Sequence, residues 1–403
     1  MMRDAIPVKE YQSRRSRVLK ELKGSVGLVT AGEGAPALLG FWRPHSHFDY
    51  LTGIRDEPGA AVLFDPAMED PKKRCVLFLP PLNAEMEAWD GYRDPISQAL
   101  KDRTGFATVL RAGALPRVLT AAARERKSLS CLHAFSVYDA PVSPDLALFR
   151  KVSERVPGVT IVDRTDLLNA LRAVKSQAEV SLLEAAIQAT AAGFDRVTKM
   201  LEPGVGEKEV QRTMEDAFLA AGASGPAYNT IAGSGRNATV LHYMANRARC
   251  SAGELIVIDA GAAFGGYAAD ITRTYPVSGT FTQDQRKLYE VVLRAQEEAI
   301  KAVKPGAFMW QVEAAARDVI EKAGHGDRFI HSIGHHLGME VHDVTPDGPL
   351  KAGMVVTIEP GVYFADTNTG IRIEDDILVT PSGRRNLSAM IPKTVREIER
   401  GRV

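Results

Sequence analysis

Two acids set into apolar strand runs constrain this chain more than any other feature. Leu255–Ile256–Val257–Ile258 runs straight into Asp259, and Asp270 leads into Ile271–Thr272–Arg273–Thr274–Tyr275, with Phe264–Gly265–Gly266 between them. β-Branched and aromatic residues on both flanks read as strands, and the glycine pair reads as a turn. A loop at Phe264–Gly265 would set Asp259 directly opposite Asp270 on one face of a hairpin, with Cβ atoms ~5 Å apart. Like charges at that distance repel, and a run such as Leu-Ile-Val-Ile reads as buried, where an unpaired carboxylate costs more still. A shared proton or a bound cation resolves the conflict. The plain alternative is a solvated hairpin end with two ordinary acids.

A second segment repeats the pattern. Val355–Val356–Thr357–Ile358 ends in Glu359, and after Pro360–Gly361–Val362–Tyr363–Phe364 and the polar turn Asp366 to Gly370 the chain returns as Ile371–Arg372–Ile373–Glu374. The spacing lets a tight hairpin set Glu359 opposite Glu374. Two such pairs make four carboxylates, with Arg372 the one obvious internal cation. Divalent metals take oxygen ligands of this kind, Mn²⁺ among them, and four carboxylates suffice for two metals clamping a hydrolytic water.

A chain of 403 residues exceeds one typical domain, so two are expected. Lys plus Arg equals Asp plus Glu, 50 against 50, so no net field draws the chain to nucleic acid or to an anionic membrane. Cys75, Cys131 and Cys250 are far apart and form no CxxC, which fits a reducing cytoplasm and argues against a disulfide framework or a zinc site. The basic start (Lys9, Arg14, Arg15, Arg17, Lys20) lacks a signal peptide's apolar core, and acids interrupt the most apolar stretches, so no membrane span is expected.

Residues Val8 to Leu22 read as an amphipathic helix whose basic run is a solvated face. Strands are expected at Ser25 to Thr30, Ala60 to Phe64, Cys75 to Leu79, Ala134 to Val137 and Val159 to Val162, alternating with helices as in a small α/β domain. His45 and His47 have no acidic or cysteine partner at motif spacing and read as structural. The texture changes near Arg164. Ser176 with Glu179 forms a capping box. Leu182, Ala186, Ala189 and Gly193 give the following helix a face poor in bulk. Further helices are expected at Glu207 to Ala221, Gln283 to Val303 and Trp310 to Ala323. Residues 176–270 and 283–374 share the order helix, Pro–Gly, helix, strands with acids, a weak internal repeat that would build a central site by pseudo-symmetry. The expected boundaries are 1–168 for the α/β domain and 169–403 for the repeat-containing one. Four of the nine histidines, His331, His335, His336 and His342, fall in one segment, and His242 lies in another. Histidine is the commonest metal ligand and titrates near neutrality. His336 reads as structural.

With these residues assembled, the sequence is similar to the M24 metallopeptidases of the α+β pita-bread fold, and within them to the Xaa-Pro aminopeptidases (aminopeptidase P). The resemblance covers nearly the whole chain. It rests on Val–Ile–Asp259–Ala–Gly, Ala–Asp270–Ile–Thr–Arg–Thr, Gly–His335–His336–Leu–Gly, Thr–Ile–Glu359–Pro–Gly and Arg–Ile–Glu374–Asp. It implies a dinuclear centre held by Asp259, Asp270, His335, Glu359 and Glu374, with Mn²⁺ the expected metal and Co²⁺ or Zn²⁺ as alternatives. His242, His331 and His342 match the family's other active-site histidines, and Arg372 matches an arginine two residues before the last glutamate. The implied reaction is hydrolysis before proline by metal-activated water. Glu359 would carry the proton, His242 and His342 would face the oxyanion or substrate, and His331 and Arg372 would contact substrate. His47–Phe–Asp–Tyr–Leu–Thr–Gly53, Glu57–Pro58 and the segment Glu85 to Arg93 resemble the N-domain of aminopeptidase P and prolidase, which methionine aminopeptidases lack. The residue matching Trp89 reaches a neighbouring subunit's site in some relatives, which implies substrate contact and a homodimer or homotetramer here. The nearest rival is prolidase, restricted to Xaa-Pro dipeptides. Creatinase-like amidinohydrolases lack the metal carboxylates, and a non-catalytic peptide-binding relative would be expected to have lost ligands.

Overall fold

Alternating apolar segments at the start of the chain build a mixed six-stranded sheet. In this computed structural model, which describes residues 6–33, 42–136 and 138–400, the strands are β1 (Val26–Thr30), β2 (Ala61–Phe64), β3 (Cys75–Leu79), β4 (Thr108–Arg111), β5 (Ser128–Cys131) and β6 (Thr160–Asp163), in the order β4-β3-β2-β1-β5-β6. The pairs β1–β2 and β2–β3 are antiparallel, and β3–β4, β1–β5 and β5–β6 are parallel. Val26, Leu28, Leu63, Phe78 and Leu129 pack in one core with Leu119, Ala123, Phe149 and Val152 of helices Leu115–Arg126 and Pro144–Ser153. This unit is Ile6–Arg172, and a second compact unit is Ala173–Val403.

Two expectations for the first unit fail. No strand forms over residues 134–136, and Val137 lies outside the described residues. The strand instead occupies Ser128–Cys131, where Leu129 and Cys131 alternate with serines that share Ser25 Oγ as partner. The basic run of helix Val8–Glu21 is not wholly solvated. Arg14 is 0% exposed, donates to Tyr50 O and lies over the Tyr50 ring, while Arg15 donates to Leu51 O and lies over Phe106. Aromatic faces and carbonyls from elsewhere in the unit make burial of these guanidiniums tolerable. His45 and His47 pack with His133, ring centroids 4.4 Å apart for His45–His133 and 4.9 Å for His45–His47, and burial with the nearby Arg172 holds His47 well below its ordinary pKa.

The second unit opens on the expected capping box, Ser176 Oγ accepting from Glu179 N and Glu179 from Ser176 N. Helix Gln177–Met200 packs its small-residue face on helix Glu207–Ala220, and a Cβ at Gly193 would stand 2.9 Å from Phe218. Two small sheets follow. One holds β7 (Gly225–Pro226), β10 (Ala262–Phe264) and β11 (Tyr267–Ala268); the other holds β8 (Ile231–Ser234), β9 (Leu255–Ala260) and β12 (Ile271–Pro276).

The register of the first acid hairpin differs from expectation. Phe264 pairs with Tyr267, so the turn is Gly265–Gly266. Asp259 then stands opposite Thr272, and Asp270 lies on the same face two residues away, diagonal to Asp259 rather than across from it. Both turn glycines have positive φ, +55° and +80°, as a two-residue hairpin turn of this hand requires and as phenylalanine resists. Between the acids Gly261 lets the strands nearly touch, since a Cβ there would sit 1.7 Å from Ala269 O.

The second hairpin keeps a single register. In β13 (Val355–Ile358) and β16 (Asp375–Thr380) Ile358 faces Asp375, and in β14 (Gly361–Phe364) and β15 (Thr369–Arg372) Gly361 faces Arg372. Carried across the interruption, that register sets Glu359 opposite Glu374. β17 (Gly383–Asn386) extends the sheet beside β16. Helices Gln283–Ala302 and Met309–Lys322 precede this hairpin as the earlier helix pair precedes the first, giving the α+β pita-bread fold with its pseudo-twofold repeat. The hairpins meet where Glu374 N donates to Thr272 O (3.0 Å) and Arg372 N to Thr274 Oγ1 (3.1 Å). Among the described residues no helix is long and apolar enough to cross a membrane.

Candidate metal centre

Strand geometry brings the acids together at the joint between the hairpins. Asp259 is the penultimate residue of β9, Asp270 precedes β12, and Glu374 sits between β15 and β16, these three residues being 8%, 5% and 1% exposed. Thr272, one register step from Asp270 on the same face, donates to Glu374 Oε2 at 2.7 Å. Glu359 follows β13, and His335 comes from the irregular segment alongside it. His335 N donates to Thr357 Oγ1 and Thr357 N to His335 O, which ties that segment to β13.

Ligand atoms of Asp270, His335 and Glu374 lie within 4.8 Å of one another. His335 Nε2 is 3.4 Å from Asp270 and 3.5 Å from Glu359. Its Nδ1 lies 3.1 Å from His336 O, which holds a proton on Nδ1 and turns Nε2 toward the acids. Asp259 is reached through Tyr228, whose hydroxyl is 2.5 Å from both Asp259 and Asp270. The other Asp259 oxygen accepts from Arg372 Nη2 at 2.6 Å. Arg372 also donates from Nη1 to Tyr363 Oη (3.0 Å) and from Nε to Thr272 Oγ1 (3.2 Å). His331 Nδ1 is held on Ser332 O and its Nε2 on Tyr363 Oη, both at 2.9 Å. The His342 ring stacks on that of His335, 3.9 Å between centroids. His242 and His342 are exposed in the wall of a cavity of about 450 Å³ that the five expected ligands share with Ile231, Leu241, Met244 and Val341.

The electrostatics are those of too many acids in one place. Burial, then the charges of Asp270, Glu359 and Asp259, lifts Glu374 well above its ordinary value. Burial also raises Asp270 and lifts Glu359 to about 7, against the pull of His335 and Arg372 on the latter. Burial alone would lower His335, but the hydrogen bond and charge of Asp270, with Glu359, outweigh it and raise the imidazole to about 9. His331 is pushed down to about 4 by burial and Arg372, and His342 is lowered by burial, His335 and His242. A donor set of four carboxylates and one correctly tautomerised imidazole, strained by its own negative charge, fits divalent cations that accept oxygen and nitrogen ligands.

One expected outcome follows from the imidazole. A cation must displace the His335 proton and any held by the raised carboxyls, so apparent affinity for a divalent metal should rise at least about tenfold per pH unit from neutrality toward pH 9. Competition against a chromogenic chelator measures it, and a flat profile would contradict this ligand assignment.

Tyr228, Thr272 and Tyr363 went unnoticed in the sequence. Thr272 carried a signal, the period-two spacing from Asp270; Tyr228, in an irregular stretch, carried none. Trp89 belongs to the other unit, where it is 80% exposed.

Residues 181–381 match the model of metallopeptidase family M24, and residues 11–130 match that of the aminopeptidase P N-terminal domain. The Xaa-Pro aminopeptidase of Haemophilus influenzae is 32% identical over 98% of this chain and 97% of that protein. The Xaa-Pro dipeptidase of Pyrococcus furiosus is 38% identical, over 58% of this chain and 67% of its own length. The structure of Pseudomonas aeruginosa aminopeptidase PepP superposes with a TM-score of 0.87 at 30% identity, covering 99% of this chain and 98% of that one. An Escherichia coli aminopeptidase P solved in complex with substrate gives 0.87 at 29% identity, covering 98% of each chain. With full-length relatives, matching structures and a buried acid–histidine cluster in agreement, the chain belongs to metallopeptidase family M24, as a peptidase carrying the aminopeptidase P N-terminal domain.

Proposed function

We propose that this enzyme removes the N-terminal residue from peptides with proline in second place, using two divalent cations, Mn²⁺ in the first instance, held by Asp259, Asp270, His335, Glu359 and Glu374. The observation that carries the reading is the Asp270–His335–Glu374 cluster, with Glu359 at 3.5 Å from the imidazole. When bound, such cations acidify water and polarise the scissile carbonyl.

The chain's own groups supply the rest. Glu359, a cavity-lining carboxylate 3.5 Å from His335 Nε2, is the group placed to take and return the proton. His342, lowered below its ordinary value, is a neutral imidazole there, and with His242 it offers N–H groups to the charge that develops on the carbonyl oxygen. Arg372 gives three of its five N–H groups to Asp259, Tyr363 and Thr272, so it holds Asp259 and lines the cavity where the peptide would lie. His331, both nitrogens engaged, offers its ring as a packing surface. Proline lacks the amide N–H, so a site for this bond must fit the ring instead of that hydrogen bond, and the Ile231, Leu241, Met244 and Val341 lining supplies apolar wall.

The full-length match to Xaa-Pro aminopeptidases supports this reading over a strict dipeptidase. A ladder of Xaa-Pro, Xaa-Pro-Xaa and longer peptides with Mn²⁺, Co²⁺ and Zn²⁺ tests it. The tripeptide and longer substrates should be cleaved at least as fast as the dipeptide; cleavage of the dipeptide alone would overturn it, and binding without cleavage would point to a peptide-binding protein. We place the enzyme in the cytoplasm, on the support of three free cysteines. Leu82, Met86, Trp89 and Tyr92, all exposed and the last 94% so, support assembly into a homodimer or homotetramer that Trp89 would serve. A single 43.7 kDa species in sedimentation would contradict that assembly.

A further inference from the structure

The tip of the segment that brings His242 to the cavity wall has little packing of its own. It leaves β8 at Ser234, makes the short helical turn Gly235–Thr239, passes through Val240, Leu241, His242 and Met244, and returns at Ala248. Val240 and Met244 are 52% and 51% exposed, so no apolar core fixes its tip. Its shape must come from its ends.

One carboxylate holds both. Glu207, the first residue of helix Glu207–Ala220, is 0% exposed. Its Oε1 accepts from Ser234 N (2.8 Å), Ser234 Oγ (2.9 Å) and Asn237 Nδ2 (2.9 Å), and its Oε2 accepts from Ala248 N (2.8 Å). Glu207 N donates back to Ala248 O at 2.9 Å. These donors converge on both carboxyl oxygens, and a glutamine amide, with only one accepting end, could not receive them all. Asn246 makes a second stitch just before the exit. It is buried at φ +48°, accepts from Ala232 N (3.0 Å) and donates to Thr230 O (2.7 Å) and Gln211 Oε1 (2.9 Å). Between the stitches, Leu241, His242 and Met244 face the cavity.

We infer that Glu207 is a positioning residue for the hydrolysis, closing the 235–247 excursion so that His242 is held over the reacting carbonyl. The inference rests on the proposed role of His242. It requires no contact between Glu207 and substrate or cation.

The test measures kcat and KM on an Xaa-Pro-Xaa peptide for the metal-loaded enzyme, its Glu207→Gln, Asn237→Ala and His242→Ala variants, and the doubles Glu207→Gln/His242→Ala and Asn237→Ala/His242→Ala. Glu207→Gln turns an amide N–H₂ toward a donor and should lower kcat about tenfold or more with KM changed less than about twofold. Bound metal should stay at the wild-type level. In the His242→Ala background the same change should cost less than about twofold, because a residue that acts through His242 has nothing left to position. Asn237→Ala removes one bond from a partly exposed side chain and should fold. It should lower kcat about threefold, again only where His242 is present. Should Glu207→Gln fail to fold, the Asn237 pair decides. Losses that multiply in full on His242→Ala, or an unchanged kcat in both position variants, would overturn the inference while leaving His242 in place. An unchanged kcat in His242→Ala itself would remove the role of His242, and the inference with it.

Discussion

Replacing Asp270 with alanine should lower kcat/KM for an Xaa-Pro-Xaa peptide by more than ~10³-fold, about 4 kcal/mol of transition-state stabilisation, and should abolish the thermal stabilisation that excess divalent metal gives the native chain. Asp270 lies at the centre of the donor group. It accepts from Tyr228 Oη, faces His335 Nε2 at 3.4 Å, and belongs with His335 and Glu374 to the one three-residue donor group found among the described residues. Its loss removes a ligand and releases Tyr228 and His335 together. Asp270→Asn separates the contributions. The amide preserves volume and can still accept from Tyr228, yet it cannot carry charge, so it should fold well and be nearly as inactive. Either variant with full activity would remove Asp270 from the reaction. Activity lost with metal-dependent stabilisation retained would leave it a role in catalysis but not in holding metal.

The second large effect lies away from the chemistry. Lys175→Ala should destabilise the protein by about 3–5 kcal/mol, because it leaves a buried carboxylate without its cation. Lys175 and Asp343 side chains are each 1% exposed and 3.0 Å apart. Asp343 follows His342 directly and ties back to the segment through Asp343 N to His336 O. Gly338 fits against this pair so closely that a Cβ there would stand 2.2 Å from Asp343 Oδ2. The ion pair thus holds the segment that presents both His335 and the His342 ring stacked on it. Lys175→Met/Asp343→Leu, which replaces the pair with apolar groups of similar size, should recover most of the stability, since the charge pair itself adds little net energy. Urea denaturation reads both variants. A Lys175→Ala midpoint within error of wild type would mean that Asp343 is not dependent on the lysine.

How far the sequence carried this structure depends on whether the information was local. Helix starts and the acid-bearing strands were legible, because caps and apolar runs are encoded within a few residues; the Ser176 box and β13 ending just short of Glu359 are examples. The pairing of Glu359 with Glu374 was legible for the same reason. The register of the first hairpin was misread although the signal was present. Gly265–Gly266 offers two residues at ease with positive φ, whereas a turn at Phe264–Gly265 would put a phenylalanine at one of those positions. Contacts between distant segments were not legible. Tyr228 meets Asp270 across 42 positions and Lys175 meets Asp343 across 168, and nothing in either neighbourhood announces the partner. Arg14 and Arg15 read as solvated because the rings that receive them, Tyr50 and Phe106, come from other elements.

Anomalous-difference crystallography on the Mn²⁺-loaded enzyme tests the central claim most directly. Two adjacent peaks enclosed by Asp259, Asp270, His335, Glu359 and Glu374, both absent from Asp270→Ala crystals, are the expected result. Manganese bound elsewhere on the chain, with no peak among those five side chains at saturating metal and full activity, would contradict it.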